Sequence, residues 1–180
     1  FEYPITESQN EENATYLSWN TLVGGELEPT VYMGFQILEY VLIDAPGAPL
    51  MQALIDAGIG EDVYGGYANG ILEPYFGVIA KNTNLDRKPE FLAVIEGTLR
   101  KLADEGLDKE AIKAAINVFE FRAREADYGS YPKGLMYGLS SFDSWLYDAD
   151  PTMHLRFENI FKTLRDEVEK GYFEDLIEKY

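Results

Sequence analysis

The sequence predicts an α+β fold in which a small, mostly antiparallel sheet is covered by helices on one face. Three observations predict this fold: a period-two stretch near the amino terminus, an Asn-Gly dipeptide between two strand-like segments, and a series of amphipathic helical stretches. A chain of 180 residues, 46% of them hydrophobic, is long enough to bury the core of one domain. Because its first residue is Phe1 rather than Met, we expect residues 1–180 to be one domain and a fragment of a larger, multi-domain chain.

The first strand and the central helix follow a polar, acidic lead-in at residues 2–13. From position 15 the side chains alternate, and we expect one face to hold Thr15, Leu17, Trp19, Thr21 and Val23. Gly24 and Gly25 end this strand. Residues 31–43 are apolar on most sides, which predicts a helix buried at the centre of the core.

A short helix and a hairpin come next. The helix begins at Pro49 and ends before Gly58. Residues 62–67 and 71–80 are predicted strands, joined by a tight turn at Asn69-Gly70. Pro74 cannot donate a backbone hydrogen bond, so we expect an edge or a bulge near the start of the second strand.

The remainder is predicted to be helical. Apolar stripes indicate a helix over residues 89–105 and a second one, capped by Asp108, whose stripe runs from position 112 to 123 and which ends before residues 129–132. A less regular helix is expected over residues 133–147. Asp150-Pro151 is expected to open the next helix, and Gly171 to precede the last one.

The charge balance disfavours some partners. With 15 Lys plus Arg against 32 Asp plus Glu, the net charge is −17 and the sequence pI is about 4.3. Nucleic-acid binding is not expected, because it depends on Lys and Arg contacts to phosphates. The acidity is explained either by solubility or by attraction for basic peptides. The longest apolar stretch is too short to span a bilayer, so no membrane anchor is predicted, and the lack of a signal segment and of cysteine favours a cytoplasmic location.

The sequence offers no persuasive catalytic or metal site. Its one histidine, His154, lies four residues before Glu158, a spacing that could present two ligands on a helix. A surface His-Glu pair or a partly buried histidine is the ordinary interpretation. No Gly-x-Ser-x-Gly elbow or phosphate-binding glycine motif is present. We therefore assign no catalytic and no metal-binding residue to this chain, and no cofactor.

Two aromatic clusters stand out. Tyr64, Tyr67, Tyr75 and Phe76 surround the predicted hairpin, where they either contact a peptide or complete the core and the sheet face. The other cluster is in the irregular helical region and is a candidate docking face for another domain. It comprises Tyr128, Tyr131, Tyr137, Phe142, Trp145 and Tyr147.

Residues 48–60 carry a resemblance to a known family. They read Ala-Pro-Leu-Met-Gln-Ala-Leu-Ile-Asp-Ala-Gly-Ile-Gly, and the Tyr- and Gly-rich hairpin with Tyr75-Phe76-Gly77-Val78 follows them. The turn at residues 105–108, the segment Phe-Arg-Ala-Arg-Glu at 121–125 and Gly-Leu-Met at 134–136 extend the pattern. This arrangement resembles the second domain of presequence-protease-like metallopeptidases, a branch of the insulinase (pitrilysin) family.

The resemblance implies a LuxS/metallohydrolase-like domain in a chain of four α+β domains that enclose a peptide-sized chamber. It also implies that zinc is held by a His-x-x-Glu-His motif in the catalytic domain. That motif is absent here, so we expect a non-catalytic domain of a zinc metalloendopeptidase that degrades short unstructured peptides. Its partners would be the catalytic and other domains of the same chain together with peptide substrates, and it would be inactive alone. A stand-alone peptide or protein interaction module and a structural subunit remain as alternatives.

Overall fold

The computed structural model describes residues 2–6 and 12–180, so residues 7–11 of the predicted acidic lead-in lie outside the described residues. Three strands form one antiparallel sheet in the order β1-β3-β2. Its strands are β1 (Thr15–Leu22), β2 (Asp62–Ala68) and β3 (Tyr75–Thr83). The helices pack on one face of this sheet, and the predicted α+β class is confirmed.

The α-helices are α1 (Pro29–Glu39), α2 (Pro49–Asp56), α3 (Lys88–Glu105), α4 (Lys109–Glu125), α5 (Lys133–Trp145), α6 (Glu158–Glu167) and α7 (Tyr172–Lys179). A π-helical turn, Tyr40–Asp44, prolongs α1. Asp108 caps α4 as predicted, because its carboxylate accepts hydrogen bonds from the backbone N–H groups of Glu110 and Ala111 at 2.9 and 3.2 Å. Among the described residues, no helix is both long enough and apolar enough to cross a membrane.

The period-two pattern of β1 is confirmed by its burial. Leu17 and Val23 are buried against the helices, while Tyr16 and Leu22 are exposed on the opposite face. The central helix is confirmed as well, since Ile37 and Leu38 in α1 have almost no exposed surface. The core therefore lies between the inner face of the sheet and the layer of helices.

The tight Asn69-Gly70 turn was a wrong prediction. β2 ends at Ala68, which pairs with Tyr75 as the first residue of β3, and residues 69–74 form a longer loop. Pro74 lies just before β3 and its carbonyl accepts a hydrogen bond from the backbone N–H of Val23 at 2.9 Å. That bond ties the loop to the end of β1. β3 pairs with β1 on one side and with β2 on the other, so it is the central strand, and the predicted edge is wrong because Pro74 falls outside the strand.

The helix predicted to open at Asp150-Pro151 was also placed wrongly. The Asp150 carboxylate accepts hydrogen bonds from the backbone N–H and the hydroxyl of Thr152, both at 2.8 Å. Only a short 3-10 turn, Met153–Leu155, follows it, and α6 begins at Glu158. An aspartate that bonds two residues ahead closes a local turn as readily as it caps a helix.

Candidate functional site

The candidate site is the open face of the sheet, opposite the helices. The strand register sets Asn20 and Gly66 on either side of Gly77, so the middle of this face carries two glycines and one small amide. Tyr64 pairs with Ile79 at one side of this strip, and Tyr75 pairs with Leu22 and Ala68 at the other. Two tyrosines thus flank a shallow floor that exposes backbone.

The structure divides the four predicted peptide-contact residues into two pairs. The side chains of Tyr64 and Tyr75 are 45% and 40% exposed and lie on the open face. Tyr67 and Phe76 pair with each other on the inner face and are buried in the core. The Tyr67 ring packs on the ring of Phe35 with centroids 5.7 Å apart. Tyr67 and Phe76 therefore complete the core, and Tyr64 and Tyr75 remain the candidate contacts.

A buried polar cluster lies behind the loop that follows β2. It brings together Glu26 from the β1–α1 loop, Tyr32 from α1, Tyr67 from β2, Asp143 from α5 and His154 from the 3-10 turn. Nε2 of His154 is 3.7 Å from Oε1 of Glu26, and the Tyr32 hydroxyl donates a hydrogen bond to Asp143 at 3.2 Å. The rings of Tyr32 and His154 lie against each other, with centroids 4.1 Å apart.

Glu26 and His154 are buried without regular hydrogen bonds. The side chain of Glu26 has no exposed surface and that of His154 is 3% exposed. Within the described residues, neither carboxyl oxygen of Glu26 and neither ring nitrogen of His154 has a hydrogen-bond partner of normal geometry. Unpaired polar atoms are costly to bury in their charged form, so the environment favours the neutral form of both groups.

Burial shifts the ionisation of this cluster. It raises the pKa of the Glu26 carboxyl to about 8, against the opposing effect of the Gly70 backbone N–H, and the charge of Asp143 raises this pKa further. Burial also lowers the pKa of His154, although Asp143 acts in the opposite direction. The pKa of Asp143 itself is raised by burial. Near neutral pH the Glu26–His154 contact is thus between a protonated carboxyl and a neutral imidazole rather than an ion pair.

The structure shows which side chain His154 contacts. The histidine is buried and faces Glu26, more than a hundred positions earlier, so its partner could not be found by helical spacing. No signal in the sequence singled out Glu26, which stands in an acidic chain next to Gly25. Within residues 2–6 and 12–180 no group of three or more His, Asp or Glu side chains is arranged to hold a metal ion.

The fold is that of an α+β domain in which one face of the sheet is open. Residues 2–119 match the family described as the Peptidase M16 inactive domain. The chain therefore belongs to the M16 (insulinase, pitrilysin) peptidase family and is an inactive peptidase domain of it. The sequence-based resemblance is confirmed by this match.

Two relatives are similar to the chain over most of its length. The chain is 44% identical over 180 residues to Protein HypA of Clostridium perfringens and 35% identical over 159 residues to presequence protease 1 of Arabidopsis thaliana. These alignments cover 100% and 86% of the chain but only 18% and 14% of the two relatives, so the chain spans less than a fifth of their length.

Two solved structures share the fold. The inactive peptidase domain of a candidate zinc protease from Bordetella parapertussis has a TM-score of 0.63 at 15% identity, covering 91% of this chain and 82% of that one. A candidate zinc protease from Bordetella pertussis has a TM-score of 0.61 at 16% identity, covering 91% and 83%.

Proposed function

We propose that the chain is the non-catalytic domain of a zinc metalloendopeptidase that degrades short, unstructured peptides. In this proposal it packs on the catalytic domain of the same polypeptide, which holds the zinc, and it forms part of the wall of the peptide chamber. The observation that carries the proposal is the match to the M16 inactive domain, together with the 35% identity to a presequence protease. The small share of each relative that the chain covers supports this proposal over a stand-alone interaction module or a structural subunit.

The charge and the open sheet face support a contact with substrate. A net charge of −17 attracts basic peptides into a chamber and raises their local concentration. Tyr64 and Tyr75 present broad apolar rings with a polar tip, beside a strip where glycines leave the backbone uncovered. An extended peptide of varied sequence can pack on such a surface, because ring and backbone contacts do not require one particular side chain.

This proposal predicts a selective effect on substrate affinity. In the whole protein, Tyr64→Ala and Tyr75→Ala should each raise KM for a short basic peptide roughly five-fold, the equivalent of about 1 kcal/mol of aromatic contact, and leave kcat nearly unchanged. The reason is that these rings would contact the peptide away from the zinc. Initial-rate kinetics on a fluorogenic peptide measure both constants.

Leu85→Ala is the matched control, because Leu85 is 70% exposed and lies outside the sheet. It should leave KM unchanged. An unchanged KM in both tyrosine variants would contradict the proposed position of this face in the chamber wall. Tyr67→Ala is unsuitable here, since removal of a buried ring destabilises the core.

A further inference from the structure

Helix α5 exposes an unusual amount of apolar surface. Leu135, Leu139, Trp145 and Leu146 are each at least half exposed, and Phe142 is 43% exposed. Positions 135, 139, 142 and 146 recur at helical spacing, so these side chains form one continuous stripe along the helix. We call the set of these five residues the α5 face.

The opposite side of α5 is polar and faces inward. Asp143 accepts the hydrogen bond from Tyr32, and Ser144 is fully buried. The Ser144 hydroxyl donates a hydrogen bond to the carbonyl of Asp150 at 2.8 Å. A surface helix of a globular domain ordinarily packs its apolar side inward and presents its polar side to water. The orientation of α5 is the reverse, which indicates that the α5 face packs against something else.

The shape of the α5 face suits a packed element. The rings of Phe142 and Trp145 stack with centroids 5.8 Å apart and planes at 17°, so they present a flat aromatic surface. Gly134 and Gly138 lie one turn apart, and a Cβ atom added at either would meet no atom within 4 Å. Another helix can therefore approach the backbone of α5 closely between the aromatic pair and the start of the helix.

The α5 face could be covered by a second copy of this chain or by another domain of the same polypeptide, and the net charge and the length of a relative distinguish between the two. A second copy of this chain would bring together two domains that each carry a net charge of −17, and their mutual repulsion disfavours such a pair. The relative that is 44% identical over all 180 residues is several times longer than the chain, which covers only 18% of it. Other domains of the same polypeptide are therefore present at high effective concentration.

We propose that the α5 face is the docking surface for an apolar helix of another domain of the same polypeptide, one that lies outside residues 1–180. The segments on either side of α5 carry the exposed Asp127 and Asp148, and Lys133 is exposed at its start, so the partner surface should have an apolar centre and a polar rim. This inference rests on the proposed function, because both place the chain within a larger protein and pack it on another domain of that protein; the inference adds the surface through which it packs.

Photo-crosslinking in the whole protein tests this docking. Phe142 is replaced by benzoylphenylalanine, which inserts into neighbouring C–H bonds on illumination, and the products are mapped by mass spectrometry. The expected result is an intramolecular crosslink to a peptide outside residues 1–180 that persists on dilution. The matched control places the same residue at Lys101, whose side chain is 68% exposed on α3, and should give no such crosslink from that position.

Three outcomes would overturn the inference: no crosslink from position 142, crosslinks confined to residues 1–180, or crosslinks between two molecules that disappear on dilution. Radical footprinting of the unsubstituted protein gives an independent readout. Trp145 should be oxidised severalfold more slowly in the whole protein than after unfolding, and equal rates would also overturn the docking. Peptide cleavage by a whole protein that shows no crosslink would contradict this inference alone, whereas a crosslink in a protein without peptidase activity would contradict the proposed function alone.

Discussion

Replacing Glu26 by glutamine should make the domain more stable at pH 8 and flatten the pH dependence of its unfolding free energy. Glu26 is buried, and its pKa rises from 4.5 to about 8 on folding. Between these values the unfolded chain releases a proton that the folded domain keeps. The stability that Glu26 contributes is therefore complete below about pH 4.5 and is lost as pH rises through about 8. The loss amounts to about 1.4 kcal/mol for each pH unit in that window.

Glutamine keeps nearly the same shape without ionising, so the variant should escape this loss. Urea unfolding between pH 5 and pH 8.5 measures the effect as a difference that widens with pH in favour of the variant. The lowered pKa of His154 changes stability with pH in the opposite direction, because the stability that this histidine contributes is lost as pH falls below the ordinary histidine range. Both the wild-type protein and the Glu26→Gln variant contain this histidine.

Glu105→Gln is the matched control for the loss of one negative charge. Glu105 is 68% exposed at the end of α3 and pairs only loosely with Lys101 at 3.8 Å. Its removal should change stability by less than about 0.5 kcal/mol at every pH. If the unfolding free energies of Glu26→Gln and of the wild-type protein changed with pH in parallel, the description of Glu26 as a protonated buried group would be wrong.

Replacing Gly65 by alanine should destabilise the domain by about 2 kcal/mol or more. A Cβ atom at this position would lie 2.5 Å from Cδ1 of Ile43 and 2.6 Å from the carbonyl oxygen of Gly77. Ile43 could rotate, but the Gly77 carbonyl belongs to the central strand β3 and cannot move without disturbing both ladders. Chemical denaturation of the variant measures this loss.

The neighbouring Gly66→Ala is the control. A Cβ atom at Gly66 would meet only Oε1 of Glu39, at 3.4 Å, and that carboxylate can shift. Both substitutions change glycine to alanine in the same strand, so the difference in unfolding free energy between them reports the close approach alone. Equal losses in the two variants would contradict the packing of β2 against β3 and the π-helical turn.

The elements that follow from local pattern were predictable from the sequence. The alternation of β1, the buried central helix and the Asp108 cap depend on neighbouring residues, and the structure confirms each. The tight turn within residues 69–74 and the helix opening at Asp150 were wrong predictions, because each of these two sequence patterns is compatible with two local structures. The choice depends on contacts with distant groups, such as the hydrogen bond from Val23 to Pro74.

The site was only partly predictable for the same reason. The tyrosines at the hairpin were visible in the sequence, but their division between the two faces depends on the register of β2 with β3. Glu26 and His154 meet through the packing of two loops, which no sequence period encodes. The inward polar side of α5 also became visible only once its neighbours were known. A cytoplasmic location stays a prediction.

Peptide cleavage by the whole protein and by residues 1–180 alone, each measured with and without a metal chelator, tests whether this chain is the non-catalytic domain of a zinc metalloendopeptidase. We expect the whole protein to cleave a short basic peptide, to lose this activity with chelator and to regain it with zinc. Residues 1–180, once circular dichroism shows that they are folded, should cleave no peptide with or without zinc. Chelator-sensitive cleavage by residues 1–180, or a whole protein that binds zinc yet cleaves no peptide, would contradict this proposal.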